Sequence, residues 1–191
     1  MSEFNLNEKV AGSAVFNNGV AGKAVGVRVA VEKRKVDEPD SYPDYKLVVT
    51  DESGGMSINQ GFYINSEDDE KRQQMTYQRV KSIADAVVPE GFVYPEVDGY
   101  THALSTLFMV IKEYSEDKKV DVFVSYGYTA KPSKYLGLRM FNFIQKQDAS
   151  FDRLKPSNTD ILERPEADTP KADSPITGGS VNLNSGGTTA W

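Results

Sequence analysis

From Lys23 the chain alternates with a period of two: Val25, Val27, Val29 and Val31 on one parity, Gly26, Arg28, Ala30 and Glu32 on the other. Successive side chains of a strand point to opposite faces, so β-branched residues in this pattern specify a half-buried β-strand with Arg28 turned away from the valines. A strand cannot bury such a face alone, so the rest of the chain must supply sheet partners and a cover. Tyr45 to Thr50 reads as a second strand and Met56 to Ile64 as a third, joined through Asp51-Glu52-Ser53-Gly54-Gly55, a turn-forming sequence. Glu32 to Asp44, charged and containing Pro39 and Pro43, reads as a loop. The opening stretch, Asn5 to Gly22, is small and polar without a period and is expected as a loose arm or short strand.

The period then changes. Ser66, with Asp69 three places on, is expected to open a helix through a capping box. Met75, Val80, Ile83, Ala84 and Val87 recur at helical spacing, and Pro89 with Gly91 ends the element. A second helix is expected from about Thr101 to Tyr114, with Leu104, Leu107, Phe108 and Ile111 as its buried stripe. Val120 to Val124 starts a fourth strand that extends toward Tyr128, and after Lys131-Pro132-Ser133-Lys134 a fifth is expected from Tyr135 to Lys146. The class is α+β, mainly antiparallel β. Three strands, two helices and two strands suit a five-stranded OB-like barrel with helices between strands 3 and 4, and an open sheet covered by helices gives the same linear pattern.

Beyond Asp148 the composition shifts. Residues 149–191 hold four prolines, repeated Ser, Thr, Asn and Gly, and six acids against four bases. Such a segment buries too little apolar area to offset its ordering entropy, so the division expected is a compact OB-like domain over 1–148 and a flexible polar, acidic tail over 149–191. The single tryptophan, Trp191, is a candidate partner hook, an exposed aromatic beside a carboxylate. The absence of cysteine removes disulfides, thiolate metal sites and cysteine nucleophiles. The N-terminal residues lack a signal-peptide pattern, and the longest apolar stretch, Leu104 to Ile111, is far short of the ~20 residues that span a bilayer, so a cytoplasmic location is expected.

The net charge of −6 is unevenly distributed. No acid occurs between Val10 and Val31, where Lys23 and Arg28 lie, or between Val122 and Gln147, where Lys131, Lys134, Arg139 and Lys146 lie. The second segment interleaves these cations with Tyr126, Tyr128 and Tyr135. Single-stranded nucleic acid is held by cations along the phosphates and aromatic rings against the bases, so these residues are stacking and phosphate candidates. The plainer reading makes the tyrosines barrel wall and the lysines a solvated loop. Lys33-Arg34-Lys35 extends the first basic group; only nearness of the two groups in space joins them into one track.

Nothing in the sequence specifies catalysis, and no cofactor or metal is expected. His102, the only histidine, has Ser105 and Asp98 as neighbours in sequence alone. Glu67-Asp68-Asp69-Glu70 sits where acids cap a helix, and neither G-x-G-x-x-G nor G-K-[ST] occurs.

In outline the chain resembles the single-stranded DNA-binding proteins of tailed bacteriophages. The resemblance is carried by Val25 to Val31, by Tyr126 to Tyr135, by the run Tyr135-Leu136-Gly137-Leu138-Arg139-Met140-Phe141-Asn142-Phe143, and by terminal Trp191. It implies an OB-fold body, non-catalytic and sequence-tolerant binding of single-stranded DNA in phage replication or recombination, and a tail that contacts replication proteins or shields the groove. The chain departs from that pattern in its last eighteen residues, Ser174 to Trp191, which carry no charged side chain. The alternative is a virion structural or assembly protein whose polar tail orders against neighbouring subunits.

Overall fold

The computed structural model describes residues 15–52 and 56–166. Trp191, and most of the tail expected over 149–191, lie outside the described residues. After a short 3₁₀ turn at Phe16–Gly19, the order is β1 (Gly22–Lys33), β2 (Tyr45–Thr50), β3 (Ile58–Phe62), α1 (Glu70–Val87), α2 (Tyr100–Tyr114), β4 (Lys119–Tyr128), β5 (Lys131–Leu138) and β6 (Ile144–Lys146). Every strand pair is antiparallel, and the strands form one unclosed sheet in the order β3-β2-β1-β4-β5, with β6 also on β4. Both helices contribute to a single core with the inward face of the sheet. Phe108 of α2 stacks on Tyr45 of β2 at 4.3 Å and meets Phe62 of β3 edge-on at 5.3 Å. Among the described residues no helix is long and apolar enough to cross a membrane.

The valine strand departs from simple alternation. Val27 and Val29 are buried, but Val25 is 61% exposed, and Ala24 and Gly26 turn inward instead. A bulge between Ala24 and Val27 in the pairing with β4 inserts the extra residue that inverts the faces. Gly26 adopts φ +68 there, and its N–H donates to Oδ1 of the buried Asp121 across the sheet at 3.1 Å. The valine parity alone carries no sign of the bulge.

Helix α1 starts four residues later than Ser66. Its N-cap is Asp69, whose carboxylate accepts from the Arg72 N–H at 3.0 Å. The local signal was right in kind, because an acid caps the helix, but it is Asp69 that turns the chain.

The expected fifth strand, Tyr135 to Lys146, is two strands and an excursion. β5 begins at Lys131, so Lys131-Pro132-Ser133-Lys134 is strand and not loop, and the hairpin turns tightly between Tyr128 and Lys131. Pro132 is tolerated because β5 is an outer strand. β5 pairs with the end of β4 and β6 with its beginning, both on the same side. Between them the chain leaves the sheet: the Arg139 N–H donates to Phe123 O at 3.2 Å, and the Phe123 N–H donates to Phe143 O at 2.7 Å. These two bonds pinch the base of the excursion and leave Met140 and Phe141 exposed at its tip.

The described chain also continues past 148 along the body. Leu154 is buried, the Tyr126 N–H donates to Ile161 O at 2.8 Å, and the Ile161 N–H donates to Gly127 O at 3.1 Å. Asp160 and Ile161 thus find backbone partners on β4 that the polar composition of the segment does not advertise.

Gly127 fixes the geometry of the β4–β5 hairpin. It sits at φ +95, and a Cβ there would lie 2.2 Å from the Lys131 carbonyl oxygen. Gly127→Ala is therefore expected to destabilise the protein by about 2 kcal/mol in urea unfolding, because positive φ and a backbone clash add. An unchanged midpoint would show that the hairpin relaxes around a side chain.

Candidate nucleic-acid interface

The β4–β5 hairpin and the excursion enclose an open cavity of about 600 Å³ lined by Tyr128, Lys131, Met140, Phe141, Asn142 and Thr159 among others. Farther along β5 lie Lys134 and Tyr135; Tyr135 is 68% exposed, and the Lys134 Nζ lies 5.3 Å from its ring centre. Phe141 is 46% exposed. Among the described residues Lys131 and Lys134 form no ion pair, so their charge is presented to solvent beside exposed rings. Of the residues expected from sequence, Tyr128 and Lys131 line this cavity, and Lys134 and Tyr135 lie farther along the same hairpin.

Tyr126 is not a stacking platform. It is buried, and its hydroxyl donates to the Gly19 carbonyl, which anchors the 3₁₀ turn to β4. Strand parity put it on the face of Tyr128, but the register shift between Ser125 and Gly127 separates their environments. Tyr126→Phe is expected to lower stability by about 1 kcal/mol and to leave any ligand affinity at this cavity unchanged, as equilibrium unfolding and titration of the same sample will show.

Arg139 is likewise not a surface cation. It is buried, its Nη2 lies 2.9 Å from Oδ2 of Asp160 and donates to Lys155 O at 2.5 Å, and its guanidinium lies 3.7 Å from the Phe123 ring centre. The Asp160 side chain is 1% exposed, so the pair is internal to the protein. It clamps residues 155–160 to the base of the excursion and so forms the back wall of the cavity.

The first basic group lies elsewhere. Lys23 is held by Asp121 at 3.3 Å and Asp152 at 3.4 Å. Burial works to lower its pKa, but the hydrogen bonds and charges of Asp121 and Asp152 outweigh that and hold it above the ordinary lysine value. Arg28 is exposed and opposite Lys119, at the far end of β4 from Tyr128. At ~3.3 Å per residue the two ends of β4 stand roughly 30 Å apart, so Arg28 and the cavity form no common track. Lys33-Arg34-Lys35 lies at and just past the end of β1, and Arg34 is paired with Asp40 and Asp44.

His102 is exposed in the first turn of α2, and among the described residues no group of three or more His, Cys, Asp or Glu is arranged to hold a metal. The residues missed from sequence are Met140 and Phe141. Inside a continuous strand they would be two more alternating positions, and only the Phe123 pinch turns both outward. Comparison with family models, curated proteins and solved structures returns no match to this chain, so its own geometry carries the reading.

Proposed function

We propose that this protein is a non-catalytic, sequence-tolerant single-stranded DNA-binding protein with an OB-like body, acting in phage replication or recombination, and that the cavity between the β4–β5 hairpin and the Met140–Phe141 excursion is its binding site. The observation that carries the reading is that one hairpin and its neighbouring excursion carry exposed Tyr135 and Phe141, half-buried Tyr128, and Lys131 and Lys134, which no described carboxylate neutralises. Rings that accept any base face and cations that follow the phosphates are the two needs of sequence-tolerant single-strand binding. The strand order supports an OB-like body. β3-β2-β1-β4-β5 is what a five-stranded OB barrel becomes when opened between its third and fifth strands, and the hairpin between strands 4 and 5 borders the ligand groove of such barrels.

The test is photocrosslinking to an oligonucleotide carrying 5-iododeoxyuridine, with the modified peptides mapped by mass spectrometry. Crosslinks at Tyr128, Tyr135 or Phe141 are expected. Crosslinks confined to the end of the sheet that holds Arg28 and Lys33 would move the site and remove this one.

A further inference from the structure

A second, smaller cavity of about 190 Å³ adjoins the first and shares Met140 and Phe141 with it; Arg72, Met75, Thr76 and Arg79 of α1 complete its lining. Arg79 is held by rings and by no described carboxylate. Its guanidinium lies 5.3 Å from the Phe62 ring centre and 5.4 Å from that of Phe143, and its buried Nε has no hydrogen-bond partner among the described residues. Neither does any described carboxylate pair with it. Two rings lie against the guanidinium, and its buried Nε–H is left without an acceptor, which is costly for a largely buried cation. Burial accordingly pushes its pKa down, and Tyr128, near enough to act on it electrostatically, offsets part of that. A guanidinium stays protonated throughout the ordinary pH range, so the site keeps its positive charge. Arg72, on the rim and exposed, adds a second guanidinium, held only by Asp68 at 3.5 Å.

We propose that Arg79 is a phosphate-reading residue: the small cavity receives one phosphodiester of a single strand whose neighbouring base lies in the larger cavity, across the Met140–Phe141 saddle. The inference rests on the single-strand reading and adds a subsite to it. The chemistry follows from shape as well as charge. An arginine fork engages phosphate oxygens through two parallel hydrogen bonds, and here the guanidinium rests against two rings in the cavity wall. The volume, about that of six water molecules, suits a phosphate group better than a base with its sugar.

The experiment compares unaltered protein, Arg79→Gln and Arg79→Lys for binding to a fluorescent oligo-dT over a range of salt. Arg79→Gln is expected to weaken binding roughly 10-fold and to reduce the slope of log K against log salt by about 0.7, the loss of one single-strand phosphate contact. Arg79→Lys is expected to restore the slope but not the full affinity. A measurement on unaltered protein stands beside these in case Arg79→Gln does not fold. The Arg79 Nε–H resonance is expected to move on adding oligo-dT and to stay in place with a thymine peptide nucleic acid, which carries bases on a neutral backbone. Folded Arg79→Gln with unaltered affinity and slope would overturn the subsite while the single-strand reading stands, as would an Nε–H that both ligands move alike. Failure of the unaltered protein to bind oligo-dT would overturn the reading and the subsite together.

Discussion

Asp160→Ala is expected to destabilise the protein by about 4 kcal/mol, because removing one member of a buried ion pair leaves the other charge uncompensated. Arg139 would keep only the Lys155 carbonyl and the Phe123 ring as described partners. Asp160 also accepts from the Ser157 N–H at 2.8 Å, so residues 155–160 lose their turn as well as their anchor. For a chain of this length the melting midpoint is expected to fall by roughly 10 °C. The double variant Arg139→Met, Asp160→Leu is expected to recover most of the loss, since apolar residues of similar volume replace buried pairs at little cost. A fall of about 2 °C or less in the single variant would show that water reaches the pair and that the back wall of the cavity is held by something else.

The second large effect concerns binding. Each base stacked on a protein ring is worth about 1–3 kcal/mol, so Tyr135→Ala with Phe141→Ala is expected to weaken oligo-dT binding by about 3 kcal/mol, or 100-fold. Both rings are exposed, so the double variant is expected to unfold within about 1 kcal/mol of the parent. A stable double variant with unchanged affinity would remove both rings from the site. Lys131→Ala with Lys134→Ala separates the electrostatic part: it is expected to reduce the salt slope by about 1.4, two single-strand phosphate contacts, with a smaller loss of affinity at high salt.

Much of the fold was legible because its signals are local. The periods of β2, β3, α1 and α2 and their turn residues named those elements to within a few positions. Features set by partners distant in sequence were not. The bulge that inverts Val25 depends on Asp121 meeting Gly26, ninety-five positions away. The strand that breaks after Leu138 depends on Phe123 bonding to both Arg139 and Phe143.

The candidate site divides in the same way. Tyr128, Lys131, Lys134 and Tyr135 form one hairpin, so closeness in sequence guaranteed closeness in space. Arg139 carries the same charge as those lysines, and only the approach of Asp160 makes it an internal clamp. Arg79 lies in a helix whose sequence gives no reason to single it out. Its setting depends on rings contributed by β3 and by the residue before β6.

The central claim, that this surface holds single-stranded DNA, is tested most directly by fluorescence anisotropy of a labelled oligo-dT at low and moderate salt, with duplex of equal length as competitor. The expected result is binding at micromolar concentration or tighter that weakens as salt rises, with duplex competing poorly. No binding at low salt, or duplex competing as well as the single strand, would contradict it.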